Sequence, residues 1–218
     1  MFDAKRLLDQ LVGSGAAGGF AGGLAGGALV NVLAGKQGRK LAGSALKLGG
    51  LALVGGLAYK AWQNYKQGAA QPAGQVIGGD IEPPPAGGAF LPRESDTAGR
   101  AALSLLLARA MISAAKADGQ IDTQESQVIL NQINGLDLPA EDKAFLFEEY
   151  GRPLDIVALA RDVDSPEHAA EVYAAAMLMV EPPSPPERIY LDSLANALGL
   201  ESGLVQQIQA TVAASRPG

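Results

Sequence analysis

An all-α fold is what this sequence predicts, with seven helices in its C-terminal part and a Gly-rich hydrophobic helical hairpin before them. Three observations predict it. No stretch sustains apolar–polar alternation, so strands have no signal. Helix-start punctuation recurs through residues 95–216, with Asp, Ser or Pro just ahead of acidic first turns. Two Gly/Ala-rich apolar runs, 15–34 and 41–59, are nearly free of charge.

Charge divides the 218 residues unevenly. Residues 1–79 carry eight Lys/Arg against two Asp/Glu, a balance of +6, whereas residues 80–218 carry nine against twenty-one, a balance of −12. Such asymmetry suggests that the two halves face different surroundings. The acidic half would be repelled by phosphate backbones, so no nucleic-acid partner is expected. There is no cysteine, which excludes disulfides, zinc–thiolate sites and thiol catalysis.

Residues 1–14 (MFDAKRLLDQLVGS) read as a short amphipathic segment with Leu7, Leu8, Leu11 and Val12 on one helical face. Acidic residues interrupt the start, so no cleaved signal is expected. Residues 15–67 read as a membrane-associated hairpin. Gly15, Gly19, Gly23 and Gly27 recur every four residues beside Gly18, Gly22 and Gly26, a smooth stripe suited to close helix packing in lipid. In water each glycine would cost a helix about 1 kcal/mol relative to alanine, and a flexible Gly/Ala tract is the alternative. The second run, Leu41–Tyr59, contains Lys47, which could snorkel to the interface. Tyr59, Lys60, Trp62, Tyr65 and Lys66 follow as an expected interfacial belt, the alternative being an aromatic cluster packed on the folded domain. The basic linker 35–40 leaves one span or two open. Membrane lipid, a homo-oligomer through the Gly-rich helices and an unidentified protein partner of the acidic domain are the expected partners. Residues 68–94, rich in Gly, Ala and Pro, read as a flexible linker.

Within 95–216 the first helix is expected over 96–117, with Leu103, Leu106, Leu107, Ala110, Met111 and Ala114 as its apolar stripe. Asp122 with Glu125 caps a second helix that runs to Asn134. Pro139 opens a third, and Gly151 lies past its end. A fourth begins near Pro153, and Ser165-Pro166-Glu167 starts a fifth. Ser184-Pro185-Pro186-Glu187 is a capping box for a sixth that stops at Gly199, and a seventh covers 202–214.

The acidic turn Asp118-Gly119-Gln120-Ile121-Asp122-Thr123-Gln124-Glu125 is the main candidate site. It aligns with the last eight positions of an EF-hand loop. The first and third ligand positions then fall on Ala114 and Lys116, which cannot coordinate calcium. Either the turn is purely structural, with Gly119 in the turn, Ile121 in the core and Asp122 with Glu125 as a cap, or its carboxylates hold a divalent cation together with Glu181 or Glu187. The only histidine, His168, is expected to be an exposed residue in a helix's first turn, and no catalytic group is expected. The match of Gly13–Gly18 to GxGxxG lacks a preceding strand and carries no weight.

Ala115-Lys116-Ala117-Asp118-Gly119, Ile121-Asp122 and Glu125, together with Glu187–Ala195 and Leu198-Gly199-Leu200, resemble the tellurite-resistance TerB-like family. More closely, they resemble the bacterial inner-membrane proteins of the DUF533 (YebE-like) group, whose Gly-rich N-terminal region is similar too. The resemblance implies an all-α domain in which the two acidic motifs meet, with a metal site formed by Asp118, Asp122, Glu125, Glu181 and Glu187. The group has Asp-x-Asp before the second motif, where this chain reads Glu181-Pro182-Pro183-Ser184. The expected function is a non-enzymatic, membrane-anchored interaction or scaffold protein in envelope or metal stress. The alternative is a divalent-metal sensor or buffer. An enzyme using paired carboxylates has only their presence in its favour.

Overall fold

A computed structural model describes residues 3–13, 49–68, 81–117, 139–180 and 183–215. These residues contain eight α-helices and no strand: α1 (Ala4–Gly13), α2 (Gly50–Lys66), α3 (Thr97–Ala115), α4 (Ala140–Gly151), α5 (Ile156–Arg161), α6 (Pro166–Met179), α7 (Pro185–Ala197) and α8 (Ser202–Ser215). Six of them answer to helices expected in 95–216. The helix expected to end at Asn134 lies outside the described residues.

Local chemistry accounts for most helix starts. The side chains of Asp96, Asp155 and Ser165 accept from the backbone N–H groups of Gly99, Ala158 and His168. Ser184 and Glu187 form the expected reciprocal capping box. Gly199 adopts φ 65°, in the left-handed region that ends a helix readily at glycine. Two boundaries move. Gly151 is the last helical residue of α4, not the residue past its end, and α5 begins at Ile156 behind its Asp155 cap, not at Pro153.

At the centre is α6, buried at every residue from Ala169 to Met179, as expected of a helix enclosed on all sides. It packs against α3, α2, α8 and α7, while α1 lies across α2 and α3. The N-terminal segment is therefore part of the core: Leu7, Leu8, Leu11 and Val12 are buried. Two polar contacts fix α1. The Asp3 N–H donates to Asp142 Oδ1 at 3.1 Å, and the Gly50 N–H donates to Asp9 Oδ1 at 2.6 Å. The latter caps α2 in trans, because Gly49 offers no side chain.

The second apolar run is placed differently from the membrane expectation. Gly50–Tyr59 belongs to α2, whose Leu51, Leu53, Val54, Leu57 and Ala58 join the same core as α6 and α8. The aromatic belt resolves in favour of the packed cluster. Tyr59 and Trp62 meet Phe90 edge-on at 5.4 and 5.8 Å, Lys66 lies 5.2 Å from the Trp62 ring, and the Tyr65 hydroxyl donates to Glu201. From residue 81 onward the expected linker is a strap lying along α2, with Phe90 and Leu91 buried. A tight turn, in which the Gly87 N–H donates to the Leu91 carbonyl at 2.7 Å, folds its end back. Gly56 makes room for the strap, since a Cβ there would stand 2.6 Å from the Glu82 carbonyl oxygen.

One described helix, Thr97–Ala115, is long and apolar enough to cross a membrane, and more than half of it is buried inside the protein. Its burial is that of a core helix.

Candidate functional site

Of the five expected metal-site residues, Glu187 is described, and Asp118, Asp122, Glu125 and Glu181 lie outside the described residues. Glu187 sits at the third position of α7, where its Oε2 accepts from the Ser184 N–H at 2.6 Å and its own N–H reaches Ser184 Oγ at 3.4 Å. One carboxylate oxygen is thus committed to the helix cap. Helix α3, which ends at the first residue of the first motif, touches α7, which carries the second. Among the described residues no group of three or more His, Asp or Glu side chains could hold a metal ion.

Lys116, at the end of α3, has a structural position. Its ammonium donates to the carbonyls of Glu149 and Arg152 at the end of α4 and lies 5.7 Å from the Tyr150 ring. A cation there complements the negative end of α4's dipole. Partial burial lowers its pKa, and the nearby Glu149 carboxylate opposes that shift. Beside it Glu149 accepts from Arg109 at 3.3 Å and from Arg152 at 2.7 Å, joining α3 to α4.

A different set of titratable groups occupies the first turns of α6. Glu171 is fully buried, and neither carboxylate oxygen has a hydrogen-bond partner. Its roof is α2 and the strap: a Cβ on Gly55 would lie 3.0 Å from Glu171 Oε1, 3.0 Å from the Phe90 carbonyl oxygen and 3.3 Å from Pro84 Cγ. Only a glycine at 55 leaves that space. Burial, reinforced by the Glu167 charge, pushes the Glu171 carboxyl well above the usual glutamate range.

His168 lies between this acid and solvent. Its Nδ1 is 2.5 Å from Asp164 Oδ1, and its Nε2 is 4.0 Å from Glu171 Oε2. The ring is partly buried, with 21% of the side chain exposed against 77% for Asp164. This corrects the expectation of an exposed surface histidine. The hydrogen bond from His168 holds the Asp164 carboxyl below its ordinary range. The two acids address opposite ring nitrogens, so they do not converge on one point as metal ligands would. They make a line from the interior to water.

Sequence reasoning missed this line because the Gly55 roof comes from a helix more than a hundred positions away. The one local signal was the spacing. His168 and Glu171 stand three apart on one face of α6, and Asp164, just ahead of the Ser165 cap, stands four before His168.

No solved structure matches this chain. A protein of Yersinia enterocolitica described as "Uncharacterized protein in ampR 5'region" is 28% identical over 107 residues, covering 47% of this chain and 77% of that protein. Residues 18–212 match the family described as "Protein of unknown function (DUF533)", a match that takes in the Gly-rich region, the strap and the helices through α8. With most of its length accounted for in this way, the chain belongs to the DUF533 family.

Proposed function

We propose that this protein is a non-enzymatic, membrane-anchored interaction protein of the bacterial inner membrane. Its acidic, TerB-like helical domain would be held at the bilayer by the Gly-rich segment 14–48. The observation that carries this reading is the charge-free Gly/Ala run 15–34, and the Asp9–Gly50 hydrogen bond restricts how it is anchored. It sets α1 against the start of α2, so the 35 residues from 14 to 48 leave and rejoin the domain at neighbouring points.

That adjacency supports a particular mode of anchoring. A single crossing would carry α1 and α2 to opposite sides of the bilayer, which their contact forbids. Two full crossings need about 20 residues each. Once Gly50–Tyr59 is taken up in α2, the second apolar run keeps only 41–48, about 12 Å as a helix. The reading that fits is a re-entrant segment that enters and leaves one face, with the glycine stripe of its first run turned to the returning chain. Lys36, Arg39 and Lys40, which follow that run, would then return to headgroup level.

Washing membranes with alkaline carbonate tests the anchoring, and full release into the soluble fraction would overturn it. Because the chain has no cysteine, Leu24→Cys and Gly38→Cys each create a unique label site. The re-entrant reading expects Leu24→Cys to resist a water-soluble maleimide. It expects Gly38→Cys to react from the same side of the membrane as a cysteine placed at Ser193.

A further inference from the structure

Glu171 is a buried, unpartnered acid in the contact between the two helices that organise the molecule, and the mode of anchoring leaves it unexplained. A glutamine would fill the same space without a titratable group, and an apolar residue would fill it without a desolvation cost. What distinguishes this carboxyl is its route to water, through His168 Nε2 on one side of the ring and Asp164 on the other.

We propose that Glu171 is a protonation-controlled latch between α6 and α2: α2 is seated while the carboxyl carries its proton, and its seat loosens when that proton leaves through His168. The step balances with groups present. The carboxyl O–H bond breaks, the Nε2 lone pair of His168 takes the proton, and the resulting imidazolium is held by the Asp164 carboxylate at Nδ1. The Nδ1 proton then passes to water. The product is a carboxylate facing the Phe90 carbonyl oxygen and the glycine roof, with the proton left on His168 Nε2, which at 4.0 Å stands beyond hydrogen-bond reach of it. Lifting α2 and the strap admits water to it.

Once His168, 4.0 Å away, has passed its proton to water, the other charges described around the carboxylate do not compensate it. On its own helix Glu167 acts on it with like charge. Helix α2 brings Tyr59, one turn from Gly55, and its nearest lysine, Lys60, projects from a different face of the helix. The strap brings Glu82 and Arg93, and the guanidinium of Arg93 is turned toward Gly87. Arg100 on α3 donates to the Pro92 carbonyl; on α7, Glu187 is taken up in the cap, Arg188 donates to the Pro183 carbonyl and Asp192 is the remaining acid; α8 carries no titratable side chain.

Hydrogen exchange of the full-length protein, corrected for the intrinsic pH dependence of exchange, reads the latch through the α2 amides. Opening of α2 is expected to rise by up to about tenfold per pH unit between the ordinary glutamate pKa and the raised folded-state value, and to level off above it, the signature of one proton. Trp62, the chain's only tryptophan, reports the same event by fluorescence through its contact with Phe90. Glu171→Gln is expected to abolish the slope and keep α2 closed at every pH. Glu167→Gln, on the rim, is expected to keep the slope and end it at lower pH, because its charge helps to raise the Glu171 carboxyl. An unchanged slope in Glu171→Gln, or, should that variant not fold, an unshifted end of the slope in Glu167→Gln, overturns the latch. So does a wild-type α2 whose corrected exchange is flat between pH 5 and pH 9.

Discussion

Glu171 shows how much one side chain can set the pH response of a fold. Its folded-state carboxyl binds a proton more tightly than the same group in the unfolded chain. The associated stability is therefore whole below the ordinary glutamate pKa and is lost as pH rises toward the folded value. The loss can reach about 1.4 kcal/mol per pH unit within that window. Melting temperatures measured from pH 4 to pH 9 should show Glu171→Gln gaining on wild type as pH increases. A constant difference would mean that the carboxyl ionises without consequence. Gly56 makes the steric counterpart. Alanine there would improve helix propensity by about 1 kcal/mol, but its methyl would stand 2.6 Å from the Glu82 carbonyl oxygen. Overpacking of this kind costs about 1–3 kcal/mol, so urea denaturation should find Gly56→Ala less stable despite the propensity gain.

Among the elements, those with local start signals were legible. The Ser184–Glu187 box, the Asp96 and Ser165 caps and the Gly199 stop are short-range chemistry, and α3, α6, α7 and α8 appear within a few residues of where that chemistry puts them. Ser184→Ala should cost about 1 kcal/mol through loss of the cap, read by urea denaturation, with no change in the rest of α7's exchange pattern. Helix α2 was legible as a helix but not in its placement. A Gly-containing apolar run suits lipid and protein interior equally, because hydropathy records aversion to water and says nothing of what replaces it. The partners that decide it, Glu171, Phe90 and Glu201, are remote in sequence. The same holds for α1, whose leucine face was visible but whose trans cap, Asp9 on Gly50, was not. Asp9→Ala should cost about 1 kcal/mol and raise exchange first at the start of α2. Uniform acceleration across the domain would argue against a local cap. The candidate metal residues were legible as a motif, and Glu187 is the one whose place among the described residues can be compared with it.

For the whole molecule, the domain is larger than the composition suggested, since α2 and the strap enclose α6 together with α3, α7 and α8, and α1 lies across α2 and α3. Its two N-terminal helices are joined through residues 14–48, whose attachment points are adjacent. Replacing those 35 residues by a Gly/Ser loop of about nine should leave the helical signal and cooperative melting intact. Two halvings of loop length would stabilise by about 1 kcal/mol. The same deletion should release the protein from membranes. A deletion variant that unfolds would show that the segment is part of the core, and one that stays in the membrane pellet would place the anchor elsewhere.

The order in which these parts are made gives the buried face of α2 a further meaning. Lys66, its last residue, precedes Pro166, the first residue of α6, by 100 positions. At about 5–20 residues per second, a ribosome needs roughly 5–20 s to supply the helix on which α2 finally rests. During that interval an apolar helix, with the Gly-rich segment ahead of it in sequence, is made without α6 or α8, the helices it packs against most. A bilayer close to the ribosome therefore meets them before the rest of the domain exists, and attachment can be decided in time before it is decided by affinity.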